Sequence, residues 1–301
     1  MNHWYARVLE PLLRGPVVEL VEFLRTKGVL KRYVQCVSCN QDMVTRPYSR
    51  NRDGLAFRCF TTSCINYKKY FSIRTESLLS NLNVPLSSIL KVCFKWLNNH
   101  TQVQIRSEVN VGKDSIIKII DLLRRQCFNY YVKNPLVLGG DGIIVQIDES
   151  LFRHKQKYHR GRQPEREIWV FGLADVSYTP AKISLHLVPN RAASTLIPII
   201  ERVCAPGTVI HSDEWRAYSG ITSRLRFFHS TVNHSESFVN AFTGVHTQNI
   251  ESAWNRCKYL CKMHKGVLAS KMELILNEFM WKTNIGHDKK FEDLVNLLRF
   301  E

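Results

Sequence analysis

The 301-residue sequence has no long uninterrupted run of apolar residues, so no transmembrane helix is expected. Its first residues, "MNHWYARVLEPLLRGP", also lack a continuous apolar segment followed by a small-residue cleavage site, which argues against secretion. Internal repeats and low-complexity tracts are missing as well. With a hydrophobic content of 45%, these absences predict an intracellular globular protein with a sizeable core.

Acidic residues are scarce: 26 Asp and Glu stand against 42 Lys and Arg, which gives a net charge of +16. Such an excess favours a polyanionic partner, because each phosphate that is neutralised releases condensed counterions. The basic residues are dispersed over segments with folded patterns, which indicates a binding surface rather than a disordered tail. A generic basic protein is the alternative that charge alone leaves open.

The sequence pattern changes along the chain and predicts five segments. Residues 1–30 form a helical lead-in, and turn residues, cysteines and aromatics concentrate in residues 31–76. Helical periodicity occupies residues 80–134, whereas strands and then alternating helices and strands fill residues 140–290, followed by a tail at 291–301. The order within the long segment predicts an α/β fold with a mixed sheet covered by helices on both faces.

Four of the nine cysteines form two close pairs, "CVSC" and "RCFTTSC", separated by 19 residues. This spacing matches a structural zinc site, and the stretch between the pairs is typical of a hairpin with Asp53-Gly54 at its turn. The predicted zinc ligands of this zinc ribbon are Cys36, Cys39, Cys59 and Cys64. Residues 31–75 also carry nine Lys and Arg against two Asp, so we expect this module to contact phosphate. Chance clustering of unliganded thiols, or a zinc that only folds the module, are the alternatives.

A possible helix-turn-helix lies in the helical segment. The stretch "HTQVQIRSEVNVGKDSI" separates two apolar helical stripes and contains a short helix and a turn through Asn110 and Gly112. Three helices with such a turn resemble a helix-turn-helix, whose last helix enters a major groove. The candidates for facing the groove are Lys113, Asp114, Ser115 and Lys118. A plain three-helix spacer is equally compatible with the pattern.

Three carboxylates far apart in sequence suggest a metal site. Asp148 sits within or at the end of the apolar strand "GIIVQIDES", where a carboxylate is costly unless it is paired or binds a metal, and Asp213 follows another strand at a ligand-binding edge. Glu251 lies on the helix "HTQNIESAWNRCK", which Thr247 is placed to cap. Singly, the three are explained as a turn residue, a helix cap and a surface charge. Together they offer hard oxygen ligands for two Mg²⁺ or Mn²⁺ ions ~3.5–4 Å apart, as phosphoryl transfer uses.

Several stretches resemble the Merlin-type DDE transposases and their bacterial insertion-sequence relatives: "VQIDES", "REIWVFGLAD", "HSDEWRAY", "HTQNIESAWNRCK" and "KMELILNEFMWK". The resemblance runs from the cysteine quartet to about Gly286 and implies an RNase H-like core. It implies that Asp148, Asp213 and Glu251 are the catalytic, metal-binding triad. It further places in the catalytic neighbourhood Trp215, Tyr218, His246 and Asn249.

The basic loop "LFRHKQKYHRGRQPER" follows the first aspartate and would project beside the metal site. Its cations can hold DNA phosphates, and Tyr158 can stack on an unpaired base; a nuclear localisation signal and a solvated loop are the less favoured alternatives. The expected DNA contacts are Arg153, Lys155, Lys157, Arg160 and Arg162 in this loop, with Lys258 and Lys262 on the Glu251 helix. Cys257, Cys261 and His264 share a helical face and could bind a metal there. Packing of the thiols in the core is the favoured interpretation.

Together these patterns predict a DNA transposase with two catalytic Mg²⁺ or Mn²⁺ ions and a structural zinc. It would hydrolyse phosphodiesters at element ends and join the 3′-hydroxyl to target DNA, so its partners are terminal inverted repeats, target DNA and, by analogy, a second copy or larger assembly. The nucleus is expected in a eukaryotic host, and otherwise the cytoplasm or nucleoid. A domesticated, non-catalytic DNA-binding regulator and a structure-selective nuclease are the alternatives.

Overall fold

The computed structural model describes residues 5–153, 167–225, 227–233, 239–240, 243–264, 267–285 and 290–300. The helices, in chain order, are α1 (Glu10–Arg14), α2 (Val17–Thr26), α3 (Leu86–Leu97), α4 (Gln102–Glu108), α5 (Lys113–Lys133), α6 (Ala193–Val203), α7 (Ile221–Leu225), α8 (Gln248–Met263), α9 (Met272–Asn284) and α10 (Lys290–Leu297). The strands are β1 (Val44–Pro47), β2 (Leu55–Arg58), β3 (Tyr70–Ser72), β4 (Ile144–Arg153), β5 (Ile168–Asp175), β6 (Lys182–Val188), β7 (Val209–Asp213) and β8 (Phe228–Val232). A π-helical turn (Tyr5–Leu9) and two 3₁₀ turns (Arg216–Tyr218, Ala269–Lys271) complete the set.

The chain divides into two compact units. The first contains the residues up to 126 and those from 285 onward, and the second contains residues 127–284. The division falls within α5, and the segment predicted as a C-terminal tail contains α10, which belongs to the first unit. None of the helices within the described ranges is long and apolar enough to cross a membrane.

The first unit contains a three-stranded antiparallel sheet in the order β1-β2-β3. As expected, Asp53 and Gly54 lie in the β1–β2 turn, where Gly54 has a positive φ of 65° that costs a glycine little. Asp53 is buried and accepts two hydrogen bonds from Arg74, at 2.7 and 2.6 Å. The same guanidinium donates to the carbonyls of Leu82 and Val84, so a buried ion pair connects the sheet to the residues before α3.

The predicted helical segment forms α3, α4 and α5. Thr101 and Gln104 make a reciprocal capping box at the start of α4, which explains why a helix begins there. The apolar stripes of α3 and α5 are buried, and the chain between α4 and α5 passes through Gly112. The three helices and the intervening turn are therefore present, and the reading of DNA by α5 stays a prediction.

The second unit is built on a five-stranded sheet in the order β6-β5-β4-β7-β8. Strand β5 runs antiparallel to β4 and β6, whereas β7 pairs in parallel with both β4 and β8. One face of the sheet packs against α6 and α7, and the other packs against α8 and α9. The predicted fold class, a mixed sheet of the RNase H-like type flanked by helices, is confirmed by this architecture.

Helix α9 covers the outer edge of the sheet at β6. The Asn284 side chain accepts a hydrogen bond from the Ile183 N–H at 2.9 Å and donates to the Ile183 carbonyl at 2.8 Å. The Leu185 N–H contacts the Met280 sulfur at 3.0 Å. Backbone groups that an exposed edge strand would offer to another chain are thus satisfied within the unit.

Candidate active site and metal centre

The four predicted zinc ligands converge in the first unit. Their sulfur atoms all lie within 4.8 Å of one another, with Cys36 3.7 Å from Cys64 and Cys39 3.8 Å from Cys59. The backbone N–H of Ser38 is the main cause that lowers the pKa of the Cys36 thiol to about 6, against the opposing effect of burial. Four sulfur donors at this spacing, one of them ready to ionise, fit a tetrahedral zinc ion.

The outward side of the small sheet carries arginines stacked on aromatic rings. The guanidinium groups of Arg46 and Arg58 lie 5.3 and 5.4 Å from the centre of the Phe60 ring. Arg58 also lies 4.7 Å from the Tyr70 ring, which stacks on Tyr48 at 4.0 Å. We call these five residues the ribbon face. Stacked guanidiniums keep their N–H donors directed outward, so this face suits phosphate groups.

Asp148 lies in the middle of β4, and Asp213 ends the neighbouring parallel strand β7. Gln146 of β4 pairs with His211 of β7, and the two aspartates lie two residues further along each strand, at the same level. Burial is the main cause that raises the pKa of Asp148 to about 6, and the charges of Asp213 and Glu251 add to it. The charges of the other two predicted acids thus act on Asp148, and we call the three residues the carboxylate triad.

The triad is more open than the cysteine site. The ligand atoms of the cysteine quartet all lie within 4.8 Å of one another. Among the described residues, no group of three or more carboxylates, the triad included, meets this distance. The donor set itself, three hard carboxylate oxygens at a strand edge, is what Mg²⁺ or Mn²⁺ prefers.

Gln146, which is buried on β4, fixes the start of α8. Its side-chain oxygen accepts hydrogen bonds from the backbone N–H groups of Asn249 at 2.9 Å and Ile250 at 3.3 Å. Its amide nitrogen lies 3.2 Å from Nδ1 of His246. The strand thus supplies the helix cap, and the predicted neighbours His246 and Asn249 contact Gln146. Sequence reasoning missed this residue, although an amide inside an apolar strand was a visible signal.

The expectation that Thr247 caps α8 with its side chain is wrong. Thr247 stands at the N-cap position, but its hydroxyl makes no capping hydrogen bond and instead donates to a carboxylate oxygen of Glu251 at 2.8 Å. The physical reason is that Gln146 already satisfies the N–H groups that a cap would reach. The Thr247 hydroxyl is therefore available to orient Glu251.

Close approach of α8 to the sheet depends on Gly172. This glycine pairs with Asp148 across β4 and β5. A Cβ atom there would lie 2.5 Å from ring atoms of Trp254 and 2.8 Å from Ile250, so any side chain would force the helix away. The Trp254 indole N–H uses this space to donate to Asp148 at 2.9 Å. Trp254 follows Glu251 by one helical turn, so this contact sets the distance between the two acids.

A fourth carboxylate, Glu149, lies on the opposite side of β4 and was missed in the sequence. Burial is the main cause that raises the pKa of Glu149 to about 7, with Asp148 and Asp213 adding to the rise. Tyr218, a predicted neighbour of the site, is buried beside Glu149 and packs against Phe171. Tyr218 thus faces the core on the other side of the strand from Asp148.

The predicted neighbour Trp215 follows Asp213 directly and is 38% exposed. Its backbone N–H donates to Asp213 at 3.0 Å, and its indole ring stacks on the guanidinium of Arg191. The ring of Trp169 also lies against the same guanidinium, with its centre 4.2 Å away. Sequence reasoning missed both partners, because neither motif spacing nor charge singles out one arginine in the β6–α6 loop.

The predicted DNA contacts occupy several places. Lys113 and Lys118 are exposed at the start of α5, with Ser115 half-buried between them. Lys258 lies 5.5 Å from the Phe152 ring; burial lowers the pKa of its amine, and the charge of Asp148 opposes that shift. Lys262 is exposed on α8.

The basic loop lies almost wholly outside the described residues. Arg153 is the last residue of β4, and nothing beyond its backbone is described. The other predicted contacts lie beyond the described ranges, namely Lys155, Lys157, Tyr158, Arg160 and Arg162. On α8, Cys257 is buried, and contact with Cys261 and burial raise the pKa of its thiol, which agrees with core packing.

Residues 138–284, nearly the whole second unit, match the family model of the ISXO2-like transposase domain. A relative is an uncharacterized transposase-like protein of Haemophilus influenzae, which is 29% identical over 103 residues that make up 34% of this chain and 81% of that protein. Among solved structures, the simian T-cell lymphotropic virus intasome in complex with PP2A regulatory subunit B56 gamma aligns at 13% identity with a TM-score of 0.32, over 66% of this chain and 71% of that chain. The second unit is thus similar to an ISXO2-like transposase domain.

Proposed function

We propose that this protein is a DNA transposase that cuts DNA at the ends of a mobile element and joins the ends to target DNA. The observation that carries the proposal is the placement of Asp148 and Asp213 at the same level of two parallel strands, where the charges of Asp213 and Glu251 act on Asp148, within the part of the chain that matches a transposase domain. A Merlin-type element is the finer assignment that the sequence motifs favour.

The carboxylate triad would hold two divalent ions, Mg²⁺ or Mn²⁺. When bound, such ions polarise the phosphodiester and promote ionisation of the attacking oxygen. Asp148 is kept in place by the Trp254 indole, and Glu251 by the Thr247 hydroxyl, so two of the acids are oriented before any ion arrives. Lys258, whose amine is near Asp148, would contact a DNA phosphate at the mouth of the site.

The reaction would take place in two displacements at phosphorus. In the first, water attacks the phosphodiester at the element end, a new P–O bond forms, and the old bond breaks to release a 3′-hydroxyl. In the second, that hydroxyl attacks a target phosphodiester and displaces its 3′-oxygen. Each step exchanges one P–O bond for another, so no oxidant and no covalent protein intermediate are needed.

The first unit would bind the DNA ends. We propose that the cysteine quartet binds a structural zinc ion, supported by sulfur spacing within 4.8 Å. The ribbon face would contact backbone phosphates, and Lys113, Ser115 and Lys118 would face a groove of the terminal repeat. Because two ends must be brought together, a dimer or larger assembly is expected.

The test is nicking of a plasmid that carries the DNA flanking the gene. Asp148→Asn, Asp213→Asn and Glu251→Gln are expected to abolish Mg²⁺-dependent nicking while the variants still bind the DNA. Glu214→Gln is the matched control, because Glu214 is an exposed acid next to Asp213 and its loss should leave nicking unchanged. Undiminished nicking by the triad variants would show that the site is wrong.

Product analysis separates the related activities. Joined strands with preference for the terminal repeats support a transposase, whereas cutting without joining indicates a nuclease. Sequence-specific binding without any metal-dependent cutting would leave the role of a DNA-binding regulator. For the metal centre, elemental analysis should find one zinc per chain, lost in a Cys36→Ser, Cys59→Ser double variant.

A further inference from the structure

An arginine near Asp213, one acid of the carboxylate triad, packs against two indole rings. The Arg191 guanidinium lies 4.2 Å from the centre of the Trp169 ring on β5 and 4.5 Å from the Trp215 ring after β7. The Trp215 indole N–H donates to the Arg191 carbonyl at 3.2 Å. The Trp215 backbone N–H donates to Asp213 at 3.0 Å. Trp215 therefore connects Arg191 with Asp213 of the triad.

Contact with the two rings leaves the N–H donors of the guanidinium as its binding surface. A guanidinium presents five N–H donors in one plane, and a ring packed over the guanidinium does not use these donors. The stacking also restricts the long side chain in the folded protein, so little rotamer freedom is left to lose when a ligand binds. An anion with several oxygens, such as a phosphate diester, matches this planar array of donors.

The charge around Arg191 is not neutralised by a direct contact. In the described part of the chain Arg191 forms no ion pair, and Glu149 is the acid whose charge interacts with it. The N-cap residue of α6, Ala192, follows Arg191 directly and makes no side-chain capping hydrogen bond. The positive end of that helix therefore adds to the potential of the guanidinium and favours an anion at the same place.

We propose that Arg191, clamped by Trp169 and Trp215, is a binding subsite for one backbone phosphate of the DNA strand that enters the triad. The inference rests on the proposed function, since the anion is assigned to DNA because the neighbouring carboxylates are assigned to phosphodiester chemistry. Arg191 binds the strand and holds it in register with Asp213, and the two tryptophans position the guanidinium.

The experiment measures binding of a fluorescently labelled DNA duplex to the full-length protein over a series of KCl concentrations, without Mg²⁺ so that no cutting occurs. Arg191→Gln is expected to weaken binding about five-fold near physiological salt and to lower the slope of log K against log[KCl] by about 0.9, the loss of one phosphate contact. Arg202→Gln is the matched control, because it removes the same charge from the far end of α6. Its affinity and slope should equal those of the wild type.

A second variant tests the clamp itself. Trp169→Leu keeps the charge of Arg191 but removes one stacking ring, so it is expected to weaken binding several-fold while the salt slope stays unchanged. Thermal unfolding confirms that each variant is folded. If Arg191→Gln does not fold, Arg191→Lys takes its place, with weaker binding at an unchanged slope as the expected result.

The outcomes separate this inference from the proposed function. Failure of the wild-type protein to bind the duplex would overturn both. Wild-type binding with Arg191→Gln indistinguishable from Arg202→Gln would overturn the subsite and leave the transposase proposal standing. Equal affinity of Trp169→Leu and wild type would show that the tryptophans do not position the guanidinium for DNA.

Discussion

Replacing Asp148 with asparagine is expected to stabilise the protein when no divalent ion is bound to the triad. The wild-type site keeps a carboxylate charged in a place where burial, and then the charges of Asp213 and Glu251, oppose ionisation. Asparagine has nearly the same shape and no charge. The expected gain in stability is therefore a direct measure of the electrostatic cost that a bound cation would relieve.

The size of the effect follows from the shift in pKa. Asp148 moves from its ordinary pKa of 3.8 to about 6 in the folded protein. Roughly two units at about 1.4 kcal/mol each amount to about 3 kcal/mol at neutral pH. The carboxylate accepts hydrogen bonds from both the Trp254 indole and the Glu149 N–H, and asparagine has one acceptor oxygen instead of two. Losing one such bond costs about 1 kcal/mol, so a net gain of about 2 kcal/mol is expected.

The pH dependence has a defined sign. Because the pKa of Asp148 is higher in the folded than in the unfolded chain, the folded state binds the proton more tightly. The wild type is therefore free of the penalty below pH 3.8 and loses stability as the pH rises from there to about 6. The difference between Asp148→Asn and wild type should grow across this window and be constant above it.

The assay is urea denaturation followed by tryptophan fluorescence, at one pH below the window and one above it. The buffer must be free of Mg²⁺ but must not contain a strong chelator, which would also remove the zinc ion that we propose for the cysteine quartet. Added Mg²⁺ should stabilise the wild type and not the variant. Glu214→Gln controls for the loss of an exposed acid. A variant that is no more stable than wild type above the window would refute the reasoning.

Three further substitutions test contacts that lie inside one unit or the other. Gly172→Ala should destabilise the protein by about 1–3 kcal/mol and abolish nicking, because its Cβ would lie 2.5 Å from Trp254; denaturation and nicking assays check this. Gln146→Ala should cost about 1–3 kcal/mol by leaving helix N–H groups unsatisfied, and Gln146→Glu, which keeps an acceptor, should restore most of it in the same denaturation assay. Arg74→Ala should cost about 3–5 kcal/mol, because it leaves the buried Asp53 carboxylate unpaired; a smaller cost than that of an exposed Arg50→Ala control would contradict this.

The sequence predicts those features that depend on local spacing. Apolar residues before Asp148 and Asp213 predict two buried strands, and β4 and β7 do pair as neighbours, although β4 continues past Asp148 to Arg153. Two close cysteine pairs are enough to predict the sulfur cluster, because each pair forms a tight turn on its own. Both predictions depend on contacts between residues a few positions apart, or on the pairing of two neighbouring strands in one sheet.

Features that depend on contacts between residues far apart in the sequence could not be predicted from it. Gln146 caps a helix that begins about a hundred residues later, and the separation between Gln146 and His246 is 100 residues. The local rule for caps selected Thr247, since it considers only neighbours in sequence. Arg191 is likewise one of many arginines until the sheet brings Trp169 and Trp215 against its guanidinium. Packing, rather than propensity, decides these contacts.

The position of Glu251 illustrates how a helix can be placed by a sheet. Three contacts attach α8 to β4 and β5: the Gln146 cap, the Trp254 hydrogen bond to Asp148, and the space left by Gly172. All three lie within one turn of Glu251 or directly opposite it, and none involves Glu251 itself. Glu251 is therefore fixed relative to Asp148 by Gln146, Trp254 and Gly172, none of which is a proposed metal ligand. This arrangement explains why the helix can come from a remote part of the chain and still deliver a carboxylate to the strand edge.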